Sequence, residues 1–317
     1  MERVRALLAP ALLAALAGLA ACSPERSDDE LFAPGGDGIP VVDAMLVVGQ
    51  PFPHRLYLSR TMRPNEPFSW DRAGIVGARV TIEGGVQTAT YLDVLDQPGA
   101  YFPLSGDTVR AGTTYRLTAV LPDGRVLSAS TATPAPIDVQ SWLLLNDDGS
   151  EVIRELLTFA DHGDTLYDQP ENQLVYPRGL LEVRLQRSAA AGYQIALQSL
   201  DLNSELLVSA DFIDEEDLDN FTRTNQSPPI SVGETSLRVP WFALYYEGRY
   251  KMRVFAMDRN WYDLARTDPV LGAGGFGFGG AAGDVTEPPI FHVEGGIGLF
   301  GSMSGDSVGF YVNAPAQ

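Results

Sequence analysis

Short runs of alternating apolar and polar residues recur along this chain, and they restrict its fold more than any other feature. Ala78-Arg79-Val80-Thr81-Ile82 alternates cleanly, and His54 to Ser59 alternates around Leu56 and Leu58. Thr113 to Leu121 puts Tyr115, Leu117, Ala119 and Leu121 on one face. A period of two marks a strand with one buried side. Val41 to Val48 is a short apolar run, and Asp123-Gly124 supplies a hairpin turn into Arg125 to Ala132. The pattern returns at Leu181, Val183 and Leu185, at Tyr193, Ile195 and Leu197, and at Tyr250, Met252, Val254 and Ala256. With 22 prolines and 32 glycines between such runs, the chain is expected to be all-β. Two β-sandwich domains are expected, immunoglobulin-like in the first and fibronectin-III-like in the second.

At about 150 residues per domain, the 317 residues suit two units. Residues 1–21 read as a signal peptide and 22–39 as a flexible tether. Residues 40–134 read as the first sandwich, and 135–317 as the second with a glycine-rich tail. Thr133-Pro134-Ala135-Pro136 reads as a stiff linker between the sandwiches. Val109, Gly112 and Tyr115 have the spacing of a tyrosine corner, in which a hydroxyl bonds back to upstream backbone. Leu244, Gly248 and Tyr250 repeat it with the glycine shifted by one. Asn260 to Arg266 is expected to form one short helical turn, and the tail to end in a strand near Ser307 to Asn313.

The N-terminus carries Arg3 and Arg5, then an Ala/Leu run from Ala6 to Ala21 with Pro10 inside it. That is the layout of a secretory signal, too short and too interrupted for a transmembrane helix. It closes on Leu19-Ala20-Ala21-Cys22, which resembles the lipobox of bacterial lipoproteins. The resemblance implies cleavage before Cys22 and lipidation of its thiol. Each buried acyl CH2 contributes about 0.8 kcal/mol, so two or three chains anchor stably. Cys22 is the only cysteine, so no disulfide or thiolate metal site is expected, and stability must come from a hydrophobic core. Ser23 to Ile39 lacks apolar periodicity and reaches roughly 20–25 Å as a coil. Ser27-Asp28-Asp29-Glu30 within it is similar to an acidic surface-export signal.

Lys and Arg total 22 and Asp and Glu 41, a net charge of −19. Removing residues 1–21 takes away Arg3, Arg5 and Glu2 and leaves −20. Such a field repels nucleic acid, and none is expected as a partner.

Few residues point to chemistry. Gly272 to Gly277 and Gly296 to Gly301 match a dinucleotide fingerprint by letter, but neither sits between a strand and a helix of a βαβ unit. Gly301-Ser302-Met303-Ser304-Gly305 has methionine where a nucleophile elbow needs serine. Asp161-His162-Gly163-Asp164 pairs carboxylates with an imidazole but has no partner nucleophile. Asp258, Asn260 and Asp263 offer oxygens at near-alternate positions and form a candidate calcium site, although no glycine turn or distal glutamate accompanies them. The acidic stretch Asp214 to Asn220 is a weaker candidate. Phe276 and Phe278, set between glycines, are candidate partner-binding residues. No catalytic residue and no cofactor is expected.

Taken together, the mature chain resembles the lipoprotein family catalogued as domain of unknown function 4249. The likeness rests on Val41 to Gly49, Leu56 to Ser59, Gly77 to Ile82, Gly99 to Tyr101, Gly112 to Leu117, Pro134 to Asp138 and the closing Gly295 to Gly301. It implies a first sandwich similar to the carboxypeptidase regulatory domain, and genomic company with TonB-dependent outer-membrane receptors. The expected role is a lipid-anchored outer-membrane protein acting as a non-catalytic accessory module to such a receptor. A cell-envelope hydrolase with a calcium-supported site, and a passive adhesin or stalk, are the alternatives.

Overall fold

The computed structural model describes residues 38–63, 66–207, 223–239, 241–267 and 288–315. They fold as the alternation predicts, mostly into strands. The first half holds β1 (Pro40–Val47), β2 (Leu56–Arg60), the one-turn helix α1 (Trp70–Ala73), β3 (Arg79–Gly84), β4 (Gln87–Asp93), β5 (Ala100–Pro103), β6 (Thr114–Val120) and β7 (Val126–Ala132). Next come β8 (Val139–Leu145), β9 (Val152–Glu155), the short helix α2 (Phe159–His162), β10 (Gln173–Val175), β11 (Leu180–Leu185) and β12 (Gly192–Ser199). β13 (Thr224–Gln226), β14 (Ile230–Ser231), β15 (Ser236–Val239), β16 (Gly248–Met257) and helix α3 (Arg259–Thr267) lead to β17 (Val293–Glu294) and the long β18 (Ile297–Asn313).

These strands make two sheets. The larger runs β13-β12-β16-β18-β1-β2-β5-β4-β3-β6-β7-β17, with β10 beside β18 and β14 beside β12. The smaller runs β15-β11-β8-β9. Two hydrophobic cores form. In the first, Val42, Leu56, Leu58, Val80, Ile82, Tyr91, Tyr101, Tyr115, Leu117 and Leu127 bury the inner faces of β1 to β7. In the second, Trp142, Leu181 and Val183 of the small sheet face Ile195, Met252 and Val254 of the large one. A fully buried side chain of this size contributes about 1.5–3 kcal/mol, so both cores are substantial without a disulfide.

β18 belongs to both. Its first residues pair in parallel with β1, from Val41↔Ile297 to Val47↔Met303. From Met303 onward its other edge pairs antiparallel with β16, from Met257↔Met303 to Gly248↔Val312. Phe300 enters the first core, while Val308, Phe310 and Val312 enter the second. Just before it, β17 pairs with β7. Gly295 and Gly296 then carry the chain across to β1, so residues 293–303 close the first half into a ring of strands. The sequence placed this segment in a tail of the second sandwich. The break expected at 134/135 does separate β7 from β8, but it does not divide the sheet.

The glycines of the closing segment explain its composition. A Cβ on Gly296 would run into the Pro40 carbonyl and the Leu127 side chain. One on Gly298 (φ +110°) would run into the Val42 carbonyl. The fingerprint-like spacing thus permits close strand contact, in a setting with no βαβ unit.

Both tyrosine corners form. The Tyr115 hydroxyl accepts the Arg110 N–H at 2.9 Å and donates to Gln87 Oε1 at 2.6 Å, and the Tyr250 hydroxyl accepts the Tyr246 N–H at 2.8 Å. A further tyrosine, Tyr193, accepts from the Ser188 N–H at 3.2 Å in the same manner. Asn260 to Arg266 lies within the helix α3, longer than the single turn expected. Among the described residues no helix is long and apolar enough to cross a membrane.

Candidate functional site

The richest polar cluster lies where the two halves meet, around α3. Asp258 precedes the helix, and its Oδ1 accepts the Trp261 N–H at 3.0 Å, as an N-cap residue does. Its Oδ2 accepts the Thr131 hydroxyl of β7 at 2.6 Å, and Thr131 Oγ1 also lies 2.7 Å from Ser302 Oγ on β18. All three side chains are buried. Burial pushes the Asp258 carboxyl above its ordinary value, against the pull of the Thr131 hydroxyl and nearby backbone N–H groups. Asn260 Nδ2 donates to the carbonyls of Ser130 and Phe300 at 2.7 and 2.8 Å. The linker is held to the same strand, because Ser304 Oγ donates to the Ala135 carbonyl at 2.7 Å.

One turn later, the buried Asp263 carboxylate accepts from Arg259 Nε at 2.7 Å and Arg266 Nε at 3.0 Å. His292 Nε2 lies 2.9 Å from its Oδ2 and pins the segment before β17 to the helix. Burial alone would raise this carboxyl, but bonds from His292, Arg259 and Arg266 outweigh it and hold it below the ordinary value.

Beside this cluster opens a cleft of about 480 Å³ between β6, β7, the N-terminus of α3 and β17. Arg116, Ser128, Ser130, Asn260, His292 and Glu294 supply its polar lining. Ser128 Oγ donates to Glu294 Oε2 at 2.9 Å, so one wall is already tied across the β7–β17 pair. The cleft offers a guanidinium, hydroxyls, an imidazole and a carboxylate at once. Such a lining binds small polar molecules through hydrogen bonds.

The sequence expectations meet this geometry unevenly. Asp258, Asn260 and Asp263 do lie together on one element. However, Asp258 and Asp263 spend their oxygens on separate sets of donors, and Asn260 turns its amide nitrogen toward two carbonyls. They latch strands to a helix rather than turning their oxygens to one point. Among the described residues no group of three or more His, Cys, Asp or Glu is placed to hold a metal ion. Asp161 is exposed and accepts from Thr158 Oγ1 at 3.2 Å, as a residue of a solvated turn does. Cys22, Phe276, Phe278 and the acidic stretch Asp214 to Asn220 lie outside the described residues. The cleft itself escaped sequence reasoning, because its walls come from residues 116–130, 260 and 291–294 with no shared motif.

No curated protein matches the chain. A family model does, over residues 36–307, and its description is Domain of unknown function (DUF4249). That span takes in the first core, most of the second, the α3 latch and the Gly295–Gly301 closure, and by it the chain belongs to the DUF4249 family.

Proposed function

We propose that this chain is a cell-envelope lipoprotein, held in the outer membrane by acyl chains on Cys22, whose β body is a non-catalytic accessory module for a TonB-dependent receptor. The observation that carries the anchor is Leu19-Ala20-Ala21-Cys22 closing a signal-like run, sixteen residues ahead of Gly38, where the described body begins. A binding rather than a catalytic role draws support from Asp263 and His292. A general base works best with a pKa near the working pH, whereas bonds from His292 and two arginines hold this carboxyl below its ordinary value. The neighbouring cleft is polar and open, which suits recognition of a polar partner group.

The test is mild cross-linking of intact cells, followed by affinity purification from detergent-solubilised membranes and mass spectrometry. A receptor recovered in stoichiometric amount supports the accessory role. An eluate with no specific envelope protein overturns it.

A further inference from the structure

We propose that the outer face of β2, β5 and α1 lies on the lipid surface of the membrane that holds Cys22. The inference rests on the anchored reading above and adds which side of the body faces the bilayer.

Apolar side chains gather on this face without cover. Phe68 is 58% exposed and Trp70 43%. Their rings meet edge to face at 5.3 Å, and Trp70 lies 5.3 Å from the ring of Tyr57 on β2. Next to it Phe102 of β5 pairs across the strands with Leu92 of β4, and both side chains are exposed, as is Leu104 two residues on. Exposed apolar groups scattered singly need no explanation, whereas a gathered set marks a surface that meets something.

Where the tether joins the body says what that is. Ile39 and Thr61 are bonded both ways, the Thr61 N–H to the Ile39 carbonyl and the Ile39 N–H to Thr61 Oγ1, each at 2.9 Å. The chain from Cys22 therefore reaches the body at the end of β2. Tyr57 is four residues back along that strand and on the same face, about 13 Å away. The sixteen residues from Ser23 to Gly38 can reach at most roughly 53–58 Å when fully extended. That is enough for the aromatic face to lie flat on the bilayer.

Charge agrees. From His54 to Arg79 the chain carries five arginines against Glu66 and Asp71, within a protein of net charge −19. Counting Asp43, which pairs with Tyr57, and Asp93 and Asp96 at the β4–β5 turn, cations and anions balance on this side, whereas the protein as a whole is strongly acidic. Tryptophan and tyrosine favour the membrane interface, and arginines near them are drawn to anionic head groups. The rest of so acidic a surface is repelled by such lipids, so the body orients with this face down.

The experiment uses the full mature chain, purified from membranes and reconstituted in phosphatidylethanolamine–phosphatidylglycerol vesicles with or without brominated acyl chains. Bromine quenches indole fluorescence on contact. The expected result is quenching of the wild-type chain that falls at least about twofold in Trp70→Phe, since an interfacial indole sits within reach of the acyl chains. Phe68→Ser, with Trp70 in place, should also weaken it. Circular dichroism and the urea midpoint of each variant show that the body is folded. Mass analysis of the Cys22 peptide separates the two readings. A lipidated chain with no Trp70-dependent quenching overturns this inference and leaves the anchor standing. An unlipidated chain whose Trp70 is still quenched supports the inference and removes the anchor. An unlipidated chain with no quenching removes both, and a Trp70 that cross-links into a protein complex while untouched by lipid assigns the face to a protein and overturns the inference.

Discussion

The Thr131 hydroxyl of the first half donates to the Asp258 carboxylate of the second across 2.6 Å, joining residues 127 apart in sequence and both buried. Thr131→Val keeps the side-chain shape and leaves that carboxylate short of a donor. Unfolding free energy should fall by about 1–3 kcal/mol, read from the urea midpoint, while Thr131→Ser should recover most of it. A Thr131→Val chain as stable as wild type beside a destabilised Thr131→Ser would show that the methyl, not the hydroxyl, matters.

Gly298 tests the ring closure. Its φ of +110° and the nearby Val42 carbonyl leave no room for a side chain, so Gly298→Ala should cost at least about 3 kcal/mol or prevent folding. Gly124 has φ +87° with nothing within 4 Å of a Cβ, so Gly124→Ala should cost only about 1–2 kcal/mol. Similar losses at the two positions would mean that backbone conformation alone, and not strand contact, sets the requirement.

The tyrosine corners give a paired prediction. Tyr115→Phe strands the Arg110 N–H and Gln87, and Tyr250→Phe strands the Tyr246 N–H. Each should lose about 1–3 kcal/mol in equilibrium unfolding. The two losses should add, since the residues sit in different cores. A double variant that departs from the sum would reveal coupling between the cores through β18.

Acid stability should depend on Asp263. Its folded carboxyl lies below the ordinary value of 3.8, so the unfolded chain binds the proton more readily and stability rises with pH across that interval. The contribution is complete above the unfolded value and is lost as pH falls through the folded one. Asp263→Asn should therefore be destabilised relative to wild type by a constant amount above about pH 5, with the gap narrowing below about pH 4. A gap that widens in acid would reverse the assignment.

Much of this architecture is legible in the sequence, because strands with one buried face announce themselves by period. Val80 and Ile82, Leu117 and Ala119, Ile195 and Leu197, and Met252 and Val254 all bury as the alternation predicts. β18 was harder to see. Its glycines at 298, 301, 305 and 309 carry no side chain to register in the pattern, yet Val42, Trp261, Phe255 and Tyr167 pack where those side chains would be. The sequence pattern therefore marks Phe291 to Gly301 only as part of a glycine-rich tail, with a strand near Ser307 to Asn313, whereas the strand starts at Ile297. The Asp258–Asp263 stretch shows another limit. Oxygen-bearing residues at near-alternate positions suit a cation loop and a capped helix equally, and only the positions of Thr131, Ser302, Arg259 and His292 decide between them. Those partners lie up to 127 residues away in sequence from Asp258.

The most direct test of the account is the mass of the mature N-terminus, measured on protein extracted from membranes. The account predicts a chain beginning at Cys22 and carrying a diacylglyceryl group with or without a further N-acyl chain, and predicts that Cys22→Ala removes both the modification and retention in the membrane fraction. A mature chain with a bare Cys22 thiol, or one cut at another residue and recovered in the soluble fraction, would contradict it.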